Sequence, residues 1–415
     1  MLHSLLPLLL LVLGATAEDD PWGIYKSVCL VGQTPLYDPT QQASVPWYTI
    51  DLDLPPRQRW EIQFALDTVR GRMDAFGGDG TFEMLVILMD DAAIASMANL
   101  DVRELTILNM FYEVAKACTS LVAQAHDGKM YHGRNLDFGF MYGWNKDSHT
   151  WDLTEALKAI TINLNFVRGG SSLFKGVSFA GHLGIITGMR PGQYSISTNT
   201  RFGGDSSAFL DFFIYGLGSE ELAIYANRDM LTNCATYEDA LNYIENVPLM
   251  ASAYFILSGA KLGQGVVVTR AANGTDHVEK VDVTQPGKWY VLETNYDWDK
   301  PVLFLDDRRK PGNDCMKKLG QSGVGLSGIY QVLSSQQNLN KATTIVGPVI
   351  TGSLNSHGSK RARIISIPAN EATSSFADHS IVHLQKNVWK AEGIAAFTRH
   401  MFRLNEVFSG QCESE

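Results

Sequence analysis

The sequence predicts an α+β fold in which antiparallel sheets carry helices on their faces. Helix-period patterns dominate ahead of residue 117, and strand patterns separated by turn signals dominate from Cys118 onward. Helical stretches then return near 206–247, 311–319 and 325–335. At 415 residues the chain has room for one large or two ordinary domains.

The elements follow in order. Leu5 to Leu13 is a short apolar run, and Ala15-Thr16-Ala17 is a small-x-small site before Glu18-Asp19-Asp20, so residues 1–17 read as a cleaved secretory signal. The run is too short to span a bilayer, and no later segment is long and apolar enough to do so. Residues 18–56, rich in Pro and aromatics, read as an extended arm. Within it Trp47 to Leu54 alternates like a strand before Pro55-Pro56. A helix is expected from Arg57, with Ile62, Leu66, Val69 and Met73 on one stripe, and a Gly-rich break at Ala75 to Gly80 ends it. Asp101 with Glu104 three residues on starts a further helix through Leu105, Leu108, Phe111, Tyr112 and Ala115.

From Cys118 the strand patterns are 119–125, 129–135, 159–168, 172–180, 182–189 and 193–200. They resume at 253–258, 264–271, 277–283 and 288–294. The first two are joined by His126-Asp127-Gly128-Lys129, where Asp-Gly signals a two-residue hairpin turn. That hairpin brings Arg134 and Asp137 back beside Cys118: a thiol, a guanidinium and a carboxylate at one end. Residues 342–415 are less readable, with a polar, basic stretch from Ser353 to Arg363.

Net charge is −10, which argues against nucleic acid as a partner. The five cysteines are Cys29, Cys118, Cys234, Cys315 and Cys412, an odd number that leaves a free thiol or an intermolecular bond. If Cys118 is the free one, the other four can pair in three ways. Asn273-Gly274-Thr275 is a glycosylation sequon in a turn between strands. There is no H-E-x-x-H and no C-x-x-C, so no metal site is expected. Gly216-Leu217-Gly218 lacks the third glycine and strand context of a dinucleotide loop, and no cofactor is called for. His132 reads as a core or turn histidine.

Cys118 sits at a helix-to-strand junction before the small hydroxylated Thr119 and Ser120. Cutting the Ala117–Cys118 bond would make its α-amine available as a general base to its own sulfur. With an unperturbed pKa of roughly 7.7–8.0, that amine is protonated in acid unless desolvated or placed near a cation such as Arg134.

Cys118-Thr119-Ser120, His132-Gly-Arg-Asn-Leu-Asp137, Thr294-Asn-Tyr-Asp297 and Asp306-Asp-Arg-Arg309 together resemble the acid ceramidase family of N-terminal nucleophile cysteine amidases. The likeness covers residues 20–75 and 100–341. It implies an αββα sandwich preceded by a helical, propeptide-like α chain. In that scheme 18–117 is an α subunit that masks the site, 118–341 is the catalytic β subunit, and 342–415 is an atypical tail. It further implies self-cleavage before Cys118, a Cys29–Cys315 disulfide joining an α/β heterodimer, and hydrolysis of ceramide to sphingosine and fatty acid in the lysosome, with secretion also expected. Cys118 is then the nucleophile, Arg134 and Asp137 orient it, Asn295 is the oxyanion-hole side chain, and Arg308 supports the site. Phe138, Phe140, Met141 and Trp144, with Trp151 beyond, would line an acyl-chain groove or rest peripherally on a lipid membrane. A sphingolipid activator protein is an implied partner.

The sequence also departs from the family. Thr200 stands where the family has an acidic residue before Arg-Phe, and the propeptide between Asp74 and Asp101 is shorter. Past Lys341 the closing strand is not recognisable, and of the final cysteine pair Cys412 alone remains, so an open sheet edge is expected. Alternatives are the related N-acylethanolamine-hydrolysing acid amidase and a catalytically silent lipid-binding relative.

Overall fold

The computed structural model describes residues 29–32, 45–59, 109, 117–137, 144–145, 150–151, 161–202, 220–302, 307–335 and 344–352. The expected signal peptide, most of both N-terminal helices, Phe138, Phe140, Met141, Cys412 and the chain after Gly352 lie outside them. In chain order the elements are β1 (Trp47–Asp51), α1 (Pro56–Arg59), β2 (Ala117–Gln124), β3 (Met130–Asp137), β4 (Trp144–Asn145), β5 (Thr150–Trp151), β6 (Thr161–Arg168), β7 (Ser171–Phe179), β8 (Thr187–Arg190) and β9 (Tyr194–Thr200). They continue with α2 (Ala223–Asn233), α3 (Tyr237–Asn246), β10 (Ala253–Gly259), β11 (Gly265–Ala271), β12 (Gly274–Lys280), β13 (Tyr290–Glu293), α4 (Arg309–Leu319), α5 (Leu326–Leu333) and β14 (Thr344–Gly352).

The chain divides into two units. The first comprises Met1–Asp53, Phe111–Phe179 and Gly184–Ser374 and contains both large sheets. The second comprises Leu54–Met110, Ala180–Leu183 and Ser375–Glu415. Within it, Asn109 donates to Gly181 O at 2.9 Å and accepts from Leu183 N at 2.8 Å.

In the first unit one sheet has the strand order β1-β6-β7-β8-β9-β10-β11-β12 and the other β13-β2-β3-β14, with β4-β5 as a separate pair. The expected α+β sandwich is present with one correction. β1 runs parallel to β6, so the larger sheet is mixed rather than antiparallel. No hairpin ties β1 to β6, so nothing local forces the antiparallel direction that a short connection imposes.

The period of two explains the layering. On β2 and β3, Val122 and Met130 face inward and pack with Tyr254, Ile256, Val267, Val281 and Val291 between the sheets. Leu121 and Ala123, with Tyr290 and Leu292 of β13, face the other way. They bury against Met316, Ile329, Val332 and Leu333 of α4 and α5. Helices α2 and α3 cover the larger sheet, where Asn227 Nδ2 donates to Ile185 O and Thr198 Oγ1 at 2.8 and 2.7 Å. The helical section expected at 206–247 is interrupted because Thr236 restarts it with a reciprocal capping box to Asp239.

Two local expectations change. The hairpin turn is His126-Asp127-Gly128, one residue longer than Asp-Gly alone: Gly128 N donates to Ala125 O at 2.9 Å, and Gly128 has φ 85°. This is the three-residue loop in which glycine supplies the left-handed position. The open sheet edge expected after Lys341 is closed by β14, which pairs with β3 from Asp137↔Thr344 to Tyr131↔Gly352. Pro348 obscured it, since a proline inside an apolar run argues against a strand. Here the register shifts between Val346 and Val349 on an edge strand, where proline is tolerated.

Cys29 and Cys315 form a disulfide with Cα atoms 5.5 Å apart, tying the N-terminal segment to α4. Cys234 is a free thiol in the structure.

The interior between the sheets also carries polar side chains. His132 is buried with Nδ1 3.0 Å from Ser195 Oγ and Nε2 2.8 Å from Ser197 Oγ. Ser197 Oγ donates to Ser120 Oγ at 3.0 Å, and Ser120 Oγ donates to Asn199 Oδ1 at 2.8 Å. Burial, reinforced by the Arg134 charge, pushes His132 from its ordinary 6.5 down to about 3. Burial likewise pushes the Glu293 carboxyl from 4.5 up to about 8, against the pull of Arg309 and the Thr294 N–H.

These two groups set opposite slopes of stability with pH. Below 6.5 the unfolded chain protonates His132 and the fold does not, so stability falls as pH drops. Above 4.5 the unfolded chain ionises Glu293 while the fold holds it neutral, so stability falls as pH rises towards 8. Each slope is at most about 1.4 kcal/mol per pH unit, and between the two ordinary values they cancel. Glu293→Gln should therefore raise Tm markedly at pH 8 and little at pH 4. An unchanged Tm difference between those pH values in calorimetry would refute the assignment.

Candidate active site

Strand register explains how Cys118 and Arg134 meet. Cys118 pairs with Leu136 and Ser120 with Arg134, so Arg134 lies diagonally across from Cys118 on the same face of the sheet. A diagonal neighbour is within reach of a long side chain. Arg134 Nη2 donates to Cys118 Sγ at 2.9 Å and to Thr198 O at 3.2 Å, and Nη1 donates to Thr187 Oγ1 at 2.8 Å. Both residues are buried, Cys118 at 0% exposure and Arg134 at 1%. Ala117, the residue before the nucleophile candidate, pairs with Asp137, so Asp137 sits in register with the residue whose peptide bond is expected to be cut.

Asn295 and Arg308 reach the backbone of Cys118. Cys118 N donates to Asn295 Oδ1 at 2.8 Å, and Arg308 Nη2 donates to the same oxygen at 2.6 Å. Arg308 Nη1 donates to Cys118 O, and to Thr119 Oγ1 at 3.2 Å. It lies 3.9 Å from Asp137 Oδ2 as a buried ion pair. Two donors converge on Asn295 Oδ1, so its orientation is fixed by the network, and Nδ2 donates to Thr200 O at 2.7 Å. Arg308 is thus a buried partner of the strand backbone rather than a member of a solvated ion-pair cluster.

The two segments around Asn295 and Thr200 are joined along their length. Asn199 Nδ2 donates to Glu293 O at 3.1 Å and to Thr294 O at 2.8 Å. Phe202 N donates to Asn295 O at 3.0 Å, and the Phe202 and Tyr296 rings meet edge-on at 5.5 Å. Arg201 grips Asp297 bidentately at 2.7 and 2.8 Å, and Arg309 donates to Tyr296 O and Asp297 O at 2.6 and 2.7 Å. Thr200 Oγ1, at the position where an acid was expected, is buried and has no hydrogen-bond partner among the described residues.

All five residues proposed from sequence for the chemistry, Cys118, Arg134, Asp137, Asn295 and Arg308, therefore come together. Trp144 lies on the short strand β4, paired with Trp151, and Asn273 is exposed at the tip of the β11–β12 hairpin. Sequence reasoning missed Asn199, Arg201 and Thr187. For Asn199 a signal existed: Ser195, Ser197 and Asn199 repeat at a period of two in a strand buried on both faces, a polar row facing inward.

Chemically, the arrangement holds a thiol against one guanidinium, and its own amide N and carbonyl against an amide and a second guanidinium. The buried His132 stays neutral above about 3.

Comparison with known proteins agrees with this chemistry. The model of the linear amide C–N hydrolases, choloylglycine hydrolase family, matches residues 118–329, opening at Cys118 itself. The model of the beta subunit of N-acylethanolamine-hydrolyzing acid amidase matches residues 43–61. A probable acid ceramidase of Caenorhabditis elegans is 36% identical over 378 residues, covering 84% of this chain and 94% of that protein. The acid ceramidase of Homo sapiens is 36% identical over 348 residues, covering 78% and 87%. A solved structure, the Caenorhabditis elegans N-acylethanolamine-hydrolyzing acid amidase ortholog, is 33% identical, covers 56% of this chain and 92% of that one, and has a TM-score of 0.46. A hydrolase model over half the chain, together with relatives matched along nearly their whole length, means that the chain belongs to the acid ceramidase family of linear amide C–N hydrolases and is an amidohydrolase of non-peptide linear amide bonds.

Proposed function

We propose that the chain hydrolyses the amide bond of ceramide, releasing a sphingoid base and a fatty acid, after cutting itself between Ala117 and Cys118. The observation that carries this reading is the set of contacts on one residue: the Cys118 sulfur, amide nitrogen and carbonyl each have a buried partner. The curated relatives named acid ceramidase supply the substrate.

In the uncut chain the Cys118 sulfur attacks the Ala117 carbonyl, the C–N bond breaks, and water hydrolyses the resulting thioester. Asp137, in register with Ala117, carries the proton to the departing nitrogen. The freed α-amine stays on Asn295 Oδ1. It takes the thiol proton as the sulfur attacks the ceramide carbonyl, and passes that proton to the leaving amine. Water then releases the fatty acid from the acyl-enzyme. Arg134 steadies negative charge developing on sulfur. Asn295, one of whose Nδ2 hydrogens is on Thr200 O, offers the other to the substrate oxygen, where such a donor is worth roughly 3–4 kcal/mol of barrier. Arg308 holds Cys118 and Asn295 in place.

In this reading residues 18–117 are the α subunit and 118–341 the catalytic β subunit followed by the tail 342–415, held as a heterodimer by Cys29–Cys315. The protein works in the lysosome, at a membrane surface and with a sphingolipid activator protein. Phe138, Phe140, Met141 and Trp144 serve the acyl chain or the lipid surface, and Asn273, exposed at a hairpin tip, carries a glycan. The second reading, hydrolysis of N-acylethanolamines, is favoured by the match of residues 43–61 to that amidase's beta subunit.

Three outcomes are expected. Acid incubation should yield two fragments on a reducing gel, one starting at Cys118, that run as one band without reductant, while Cys118→Ala stays whole and inactive; self-cutting by that variant would sink the nucleophile. Mature enzyme given equal ceramide and palmitoylethanolamide should favour ceramide by about tenfold or more in kcat/KM, each tenfold being about 1.4 kcal/mol of barrier; the reverse preference establishes the second reading. Thr200→Glu, which puts a carboxyl where the buried hydroxyl lacks a partner, should raise the rate of cutting or turnover; unchanged rates would remove Thr200 from the mechanism.

A further inference from the structure

We infer that Asn199 is a positioning residue for amide hydrolysis, one that sets the distance between Asn295 and Cys118. The inference rests on the reading of Cys118 as nucleophile and Asn295 as the donor to the substrate oxygen.

The argument starts where the β2–β13 ladder stops. Its last pair is Ser120↔Glu293. Continued in register, the ladder would set Cys118 opposite Asn295, but β13 ends before that point. Beyond it no backbone pairing fixes how far the turn carrying Asn295 stands from the strand carrying Cys118. Side chains do this instead, and Asn199 reaches both sides at the stopping point. Its Nδ2 donates one hydrogen to Glu293 O at 3.1 Å and the other to Thr294 O at 2.8 Å, the two carbonyls immediately before Asn295. Its Oδ1 accepts from Ser120 Oγ at 2.8 Å, two residues after Cys118.

A planar amide with three hydrogen bonds is a rigid spacer. Asn199 is fully buried, so each bond it loses leaves a buried group unsatisfied. Thr200 O, one residue on, receives Asn295 Nδ2 at 2.7 Å, so the same stretch of β9 that spaces the turn also aims its amide. Ser120 is in turn held by Ser197 and, through it, by His132, which anchors the spacer to the middle of the sandwich. Misplacement of a catalytic group by about 1 Å costs on the order of 100-fold in rate. Loss of the spacer should therefore appear in the chemical step rather than in substrate binding.

The test uses mature enzyme, with rates normalised to the fraction of chains beginning at Cys118. Asn199→Ala should lower kcat about 10- to 100-fold while KM stays within about threefold. Alkylation of Cys118 by iodoacetamide should proceed within about threefold of the wild-type rate, a readout that general disruption of the sandwich would move. In an Asn295→Ala background, Asn199→Ala should change kcat by less than about twofold, because a residue acting through Asn295 has nothing left to position. An undiminished kcat, or an equal loss in both backgrounds, overturns the inference. Ser120→Ala removes the donor to Oδ1, together with the acceptor of the Ser197 hydroxyl, and serves if Asn199→Ala does not fold. The same pattern is expected at about three- to tenfold, and an unchanged kcat counts against the inference. Activity that survives complete alkylation of Cys118 sinks the nucleophile reading and this inference together, whereas normal loss on alkylation with an additive cycle sinks this inference alone.

Discussion

Burying Arg134 is the constraint on which the rest of the site depends. A guanidinium cannot be neutralised in a protein, and taking such a charge out of water costs several kcal/mol unless its donors are met. The fold meets the two terminal nitrogens of Arg134 from the larger sheet, through Thr187 Oγ1 and Thr198 O, and from the neighbouring strand through the Cys118 sulfur. The two sheets are therefore held face to face at this point by a charge as well as by apolar contact. The thiol is one of the partners that the charge requires. Electrostatic stabilisation at sulfur and the packing of the sandwich are the same set of contacts.

Arg308 solves a similar problem with different partners. It is also fully buried, and its donors go to Cys118 O, Thr119 Oγ1 and Asn295 Oδ1, with Asp137 as its counter-charge. Between them the two arginines engage the sulfur, the carbonyl and, through Asn295, the amide nitrogen of one cysteine. Such groups are oriented before any substrate arrives, which is the condition under which fixed dipoles and charges lower a barrier most. The turn from Glu293 to Asp297 has little regular structure of its own. It is held instead by Asn199, Arg201, Phe202 and Arg309, and in the proposed mechanism it is the segment that presents the Asn295 amide.

The polar row inside the sandwich is tolerated because it is hydrogen-bonded in sequence, from His132 through Ser197 and Ser120 to Asn199. A partly satisfied row would destabilise the interface, since an unpaired buried polar group costs about 1–3 kcal/mol. Burial and the Arg134 charge, rather than this row, keep His132 neutral at mildly acidic pH.

The sequence by itself determined the strand pattern from Cys118 to Glu293, the Asp127-Gly128 turn region and the helices at α4 and α5, because period-two and period-3.6 patterns and turn residues are local signals. It also determined which five residues to watch, through separated motifs in a fixed order, and the motif likeness singled out Cys29 with Cys315. Only the tertiary structure decided the rest. The parallel placement of β1, the closing strand β14 around Pro348, and the burial of Arg308 depend on partners far away in the chain. So does the meaning of Asn199, an unremarkable Asn in a strand until Ser120 and the Glu293–Thr294 carbonyls are placed around it. Local propensity reports what a segment can become. Which groups must satisfy one another in a dry interior is set by contacts between segments, and those are absent from any single stretch of sequence.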